Sequence, residues 1–149
     1  MKKALFLWTI VLGCLMTSFA QNTLKLRFPK CELANADVAK NTKGIKTFEI
    51  TTQEEFDKYF KITDDTKINF ESSLVLAAIV GEDKADKFTQ IDAASFISTK
   101  ARSVYVRYDI RDKEETNFSK FSVAVVQKPN YKKVIFMKGK FYNMAISGE

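Results

Sequence analysis

Apolar positions in this chain first run together, then scatter, and then alternate. Behind Lys2 and Lys3 the stretch Ala4 to Met16 is almost wholly apolar, and Ser18-Phe19-Ala20 closes it in the small-x-small pattern that signal peptidase reads before Gln21. The pattern predicts a secretory leader over residues 1–20 and an exported protein, periplasmic or extracellular. Two other readings stay open. Val11-Leu12-Gly13-Cys14 is a loose lipobox, with bulky Leu12 at a position that prefers a smaller residue, which would make Cys14 a lipid acceptor. An uncleaved anchor is the other, since the run approaches the length needed to cross about 30 Å of hydrocarbon. Gly13, Cys14, Thr17 and Ser18 dilute the run, and no cluster of Lys or Arg follows Ala20, so cleavage leads.

From Gln21 to Gly44 no period holds for long, and the segment reads as loosely ordered, with a short strand at Leu24-Lys25-Leu26-Arg27-Phe28 where apolar and basic residues alternate. From Ile45 to Glu149 the pattern sharpens into a single domain. Ile45, Phe48 and Ile50 predict a strand. Thr51-Thr52-Gln53-Glu54-Glu55 then supplies a helix start, because either threonine finds a glutamate three residues on to form a capping box. Phe56, Tyr59 and Phe60 follow at helical spacing, so a short helix is expected from about Thr52 to Lys61 with an aromatic stripe against a sheet.

Ser73 to Val80 is an unbroken apolar run ending at Gly81, the pattern of a central strand covered on both faces. After a charged turn at Glu82 to Lys87, Phe88 to Ser98 predicts another strand. Arg102 to Ile110 alternates cleanly, with Val104, Val106, Tyr108 and Ile110 on a buried face and Ser103, Tyr105, Arg107 and Asp109 on a wet one. The polar stretch Arg111 to Asn117 reads as a hairpin loop. Phe121, Val123 and Val125 alternate again, Lys128-Pro129-Asn130 turns, and Val134 to Met137 is expected to pair with Phe141 to Ile146 across Lys138-Gly139, where glycine permits positive φ. The sum is an α+β fold: one short helix on a curved, mostly antiparallel sheet of about six or seven strands.

Composition narrows the chemistry. Twenty leader residues off 149 leave 129, a usual single-domain length, and removing Lys2 and Lys3 from the formal +6 leaves +4. Positive and negative residues are interleaved, as at Asp83, Lys84, Asp86 and Lys87, which describes a solvated surface and not a nucleic-acid groove. The sequence has no histidine, so it holds no Ser-His-Asp or Cys-His arrangement and no histidine-ligated zinc. Its one tryptophan, Trp8, lies in the leader. Cys31 is the one cysteine left after cleavage, which rules out an intramolecular disulfide and leaves burial or an interchain bridge.

Carboxylates neighbour each other at Glu54-Glu55, Asp64-Asp65 and Glu114-Glu115, but adjacent residues on a helix or strand point apart and rarely converge on one substrate atom. Asp83 to Asp86 does not space its oxygens as a calcium loop does, and no G-x-G-x-x-G, P-loop or G-x-S-x-G motif is present. No catalytic residue, cofactor site or metal site follows from these patterns. The surface worth singling out is the wet face of Ser103, Tyr105, Arg107 and Asp109, because Tyr and Arg dominate binding hot spots; cross-strand pairing alone would also place them there. Lys132, Lys133, Lys138 and Lys140 fit a guard on an edge hairpin.

The helix of Thr52 to Phe60, followed by Ile68-Asn69-Phe70-Glu71-Ser72-Ser73 leading into the apolar strand Leu74 to Val80 and Gly81, resembles the C-terminal domain family of the protease-complex subunit PrcB, over roughly Phe48 to Lys138. The family tends to carry tryptophan in that helix, where this chain has Phe56 and Tyr59, and a Gly-Gly-Tyr-like turn after the strand, where it has Asp83 to Phe88. The resemblance implies an exported, non-catalytic accessory or binding domain, associated with a protease complex at the cell envelope, whose partner is another envelope or extracellular protein. Two alternatives from other classes are an assembly protein pairing through a sheet edge at Phe141 to Ile146 and a carboxylate-dependent glycan hydrolase with two acids facing one cleft.

Overall fold

The computed structural model of the protein describes residues 22–99 and 102–139. The expected leader, Lys140 and the strand expected over Phe141 to Ile146 lie outside them. Among the described residues the chain forms β1 (Asn22–Leu24), β2 (Cys31–Leu33), α1 (Ala36–Asn41), β3 (Ile45–Ile50), α2 (Gln53–Tyr59), β4 (Phe60–Ile62), β5 (Ser73–Val80), β6 (Phe88–Ile97), β7 (Ser103–Arg111), β8 (Phe121–Gln127) and β9 (Lys133–Lys138). The fold is α+β and mostly sheet. The single curved sheet is corrected to nine strands in three sheets: sheet I in the order β1-β6-β7-β9, sheet II in the order β3-β5-β8, and the ribbon β2-β4.

The apolar run explains the division. Every residue of β5 is buried, and a strand covered on both faces needs a layer on each side. Leu74, Leu76 and Ala78 face sheet I, where Ile91 and Ala94 of β6 and Val104 and Val106 of β7 meet them, with Leu24, Leu26, Val134 and Phe136 at the margin. Val75, Ala77 and Ile79 face the other way, against Ile50, Phe56, Phe60, Val123 and Val125, with Leu33, Val38, Ile62 and Phe70 packed around them. Each large side chain buried in this way contributes about 1.5–3 kcal/mol. The buried centre of the first layer is aliphatic, whereas the second is closed by tilted rings, with Phe56 and Phe60 at 5.6 Å and Phe60 and Phe121 at 5.7 Å between centroids.

The helix forms where its capping signal stands. Thr52 Oγ1 accepts from the Glu55 amide at 3.2 Å, while Glu55 Oε2 accepts from the Thr51 amide at 3.4 Å. It ends at Tyr59, since Phe60 already pairs in β4 opposite Leu33. Gly81 ends the central strand for a reason of space: a Cβ there would lie 2.0 Å from the Thr42 carbonyl oxygen at the end of α1. The Gly81 amide donates to Gly44 O at 2.8 Å, and the Gly44 amide to the Asp83 carboxylate at 2.9 and 3.0 Å, so the junction is stitched from both sides.

Three further expectations change. The segment 22–44 carries two strands and α1. The loop between β7 and β8 is not a hairpin loop, because it carries the chain from sheet I to sheet II. And β9 pairs with β7 in parallel, Val134 beside Val104 and Phe136 beside Val106. A parallel pair requires a crossover, and here β8, lying in the other sheet, is that crossover. Pairing of β9 with Phe141 to Ile146 falls outside the described residues; Gly139 has the expected positive φ, +89°, and its amide donates to Tyr108 O at 2.9 Å. The two sheets are tied at both sides. Thr89 and Ser119 exchange backbone hydrogen bonds at 2.8 and 3.1 Å, and across the other side the Tyr131 hydroxyl donates to Glu49 Oε2 at 2.7 Å. Burial, and then that carboxylate, push the tyrosine pKa up.

Candidate functional site

Ser103, Tyr105, Arg107 and Asp109 do share one face of β7, the side away from sheet II. It is not the uniformly wet face their alternation suggested. Ser103 is only 1% exposed, and β7 is an inner strand that sets Ile97 of β6 and Lys133 of β9 beside it in register. Tyr105 is half-buried between Ser95 and Ile135. A register shift between Ile91 and Ala93 makes Asp92 the extra residue of a bulge. Bulges re-aim side chains, and Asp92 Oδ1 accepts from Arg107 Nε at 2.7 Å. Asp109 Oδ1 accepts from the Ile110 amide at 2.8 Å, and its Oδ2 lies 3.4 Å from Arg111 Nη2. The charged groups of this face are therefore already engaged with one another.

The segment that leaves β1 is different. β1 hydrogen-bonds to β6 in sheet I, and three residues later Arg27 bridges to β8 in sheet II, with Arg27 N to Val125 O at 2.9 Å and Val125 N to Arg27 O at 2.7 Å. Leu24 and Leu26 anchor the segment in the core between the sheets, while Lys25 and Arg27 point to solvent. It is a strap across the seam between β6 and β8. Antiparallel register from Arg27 and Val125 would set residue 29 opposite Val123, but Pro29 has no amide to donate. The chain turns away into β2.

Where it turns, two cavities open on either side of Phe28. One, of about 160 Å³, is lined by Phe28, Pro29, Ile68 and Val125, with Arg27 and Lys67 beside them. The other, of about 710 Å³, lies between Phe28, Cys31 and Thr63 and the start of β8 at Phe121 to Val123. A third cleft of about 570 Å³ continues past Lys67 and Ile68 along α2, reaching Lys61, Gln53 and Asp57. Phe28 itself is 52% exposed, the one large apolar side chain left in solvent among the described residues. The ion pairs found among those residues join Lys87 to Asp86 and Asp112, Arg107 to Asp92, and Arg111 to Asp109; all belong to sheet I and the loops at its ends.

The remaining candidates are structural in their surroundings. Asp64 accepts from the Thr66 amide at 2.8 Å and the Lys30 amide at 3.3 Å; the Thr66 hydroxyl first, then the Thr66 amide and, more weakly, Lys30 hold its pKa below the ordinary value. Glu55 serves the cap of α2. Cys31 is half-buried; burial, and then the charge of Asp64, raise its thiol to about 11, so it is protonated at neutral pH. No group of three or more metal-ligating side chains occurs among the described residues, and no helix among them is long and apolar enough to cross a membrane. The strap was readable in one respect only: the alternation from Leu24 to Phe28 broken by Pro29. Compared with family models, with curated proteins and with solved structures, the chain finds no match.

Proposed function

We propose that the protein is an exported, non-catalytic binding module of the cell envelope, an accessory domain of the kind the PrcB resemblance implies, and that it engages a partner protein through the surface around Phe28. The observation that carries this is the placement of Phe28. A lone exposed apolar residue is ordinary on a protein surface, but this one is held between two backbone hydrogen bonds at Arg27 and the fixed φ of Pro29, at the mouth of two cavities. Side chains positioned in advance lose little entropy on binding. The β7 face, whose charges pair internally, is the less suited surface.

The experiment is a pull-down from envelope extract with the wild-type protein, a Phe28→Ala variant and a Tyr105→Ala, Arg107→Ala variant, read by mass spectrometry. A partner that is lost only with Phe28→Ala supports the reading. One that is lost only with the double variant moves the site to β7, and one that is indifferent to both removes the strap from the function. Export is tested separately by sequencing the N-terminus of the protein from the periplasm or medium, which the leader predicts to be Gln21.

A further inference from the structure

We propose that the strap site recognises an acidic peptide segment of its partner, one apolar side chain of which fills the 160 Å³ cavity beside Phe28 while the flanking carboxylates meet Arg27 and Lys67. This rests on the reading of the strap as the binding surface. The size of the cavity is the first argument. A cavity of about 150 Å³ has room for one benzene ring; this one is of that size but open to solvent, with Phe28, Pro29, Ile68 and Val125 forming its apolar wall and Arg27, Thr66 and Lys67 the rest. It takes one side chain.

Charge is the second argument. Arg27 and Lys67 border the cavity and are exposed, and neither is in any of the ion pairs found among the described residues. Lys25 and Arg27 continue the basic border along a neighbouring cleft, and Lys61 and Lys67 along another. Of the acidic groups nearby, Asp64 accepts from the backbone amides of Lys30 and Thr66 and Asp57 Oδ1 from the Gln53 side chain at 2.7 Å, while Asp65 is exposed; none of the three forms an ion pair with Arg27 or Lys67 among the described residues. A guanidinium and an ammonium within one side chain's reach of an apolar hole suit a chain that alternates carboxylates with a hydrophobic residue. A membrane surface carries anionic charge too, and the exposed Phe28 ring could meet it, but a lipid headgroup layer offers no discrete apolar side chain to occupy the cavity beside that ring. An acidic polysaccharide offers the charge without the apolar group that the cavity needs.

The test is an NMR titration of the purified, 15N-labelled protein at low and at high salt. The probe is a synthetic heptapeptide with one phenylalanine flanked on each side by three glutamates. Its controls carry lysine for every glutamate, or alanine for the phenylalanine. Polygalacturonate and phosphatidylglycerol vesicles are titrated in parallel. The expected result is amide shifts concentrated at Phe28, Thr66, Lys67, Ile68 and Val125 with the glutamate peptide. Affinity should fall at least tenfold for either control peptide, and fall again with added salt. Arg27→Glu with Lys67→Glu should weaken it by at least tenfold while leaving the rest of the spectrum in place, which shows that the variant folds. Equal binding of the lysine peptide, shifts confined to other residues, or the same shifts from vesicles or polygalacturonate but not from the peptide would overturn the proposal. A pull-down partner that depends on Phe28 alongside a silent peptide titration would sink the acidic-peptide proposal alone; a pull-down indifferent to Phe28 would sink the binding surface itself.

Discussion

Two surfaces of this protein combine an aromatic ring with basic side chains, and they differ in what those groups already do. On β7, Arg107 is held by Asp92, Asp109 lies beside Arg111, and Tyr105 is flanked by strands on both sides. On the strap, Phe28 stands 52% exposed with Arg27 and Lys67 beside an apolar hole. The same residue types therefore have opposite standing. A polar group that already has a partner must give it up to bind another, and exposed ion pairs of this kind contribute only about 0–1 kcal/mol to stability. Sequence alternation cannot separate the two cases, because it reports which way a side chain points and not what lies next to it.

Substitutions break or sharpen that contrast, and the largest effect comes from beneath both surfaces. Gly81→Ala should destabilise the fold by several kcal/mol, because its Cβ would meet backbone at 2.0 Å and α1 must move; overpacking of this kind costs about 1–3 kcal/mol even where side chains alone must adjust. Urea unfolding should show a midpoint well below wild type. Next, Tyr105→Ala should cost about 1 kcal/mol or more by removing a half-buried ring between two strands, and leave partner capture unchanged. Phe28→Ala should do the reverse: stability within about 0.5 kcal/mol of wild type, capture lost. Thermal melts beside the pull-down resolve the pair, and a Phe28→Ala variant as unstable as Tyr105→Ala would make Phe28 a structural residue.

Smaller effects follow. Asp92→Ala should cost no more than about 1 kcal/mol and removes the Arg107–Asp92 pair; a gain of binding on β7 would then show that this pair contributes to its silence. Cys31 gives a pH readout of the wall between strap and ribbon. Its thiol is raised to about 11 from an ordinary 9.0, first by burial and then by Asp64. Below pH 9 folded and unfolded chains both carry the thiol, so nothing changes. Between about 9 and 11 the unfolded chain ionises first, and stability should decline through that window. Alkylation of the folded protein should accordingly rise with a midpoint near 11, and a midpoint near 9 would mean that the cavity wall opens.

Much of the scaffold was legible because it is local. The buried run from Ser73 to Val80 and the Thr52 cap with Glu55 are each set by residues within a few positions of one another, and each forms as the pattern implies; along β7 the strand forms as expected but its two faces are not cleanly buried and wet. What stayed hidden depends on distant partners. Nothing around Val134 announces a parallel neighbour in β7, since the crossover runs through β8 in another sheet. Ser103 looks solvated, yet on the inner strand β7 it is buried. The strap looks loose because its two halves pair with different sheets, and neither pairing is long enough to leave a period. The site was missed with it: Phe28 follows an alternating stretch and precedes a proline, yet only the bridge to Val125 shows that the proline opens a cavity.

The claim that matters most is that the partner docks on the strap and not on β7. A photo-crosslinking phenylalanine analogue placed at position 28 or at position 105, in intact cells, tests it directly. A discrete crosslinked adduct from position 28 and none from position 105 is the predicted result; an adduct from position 105 alone would contradict it.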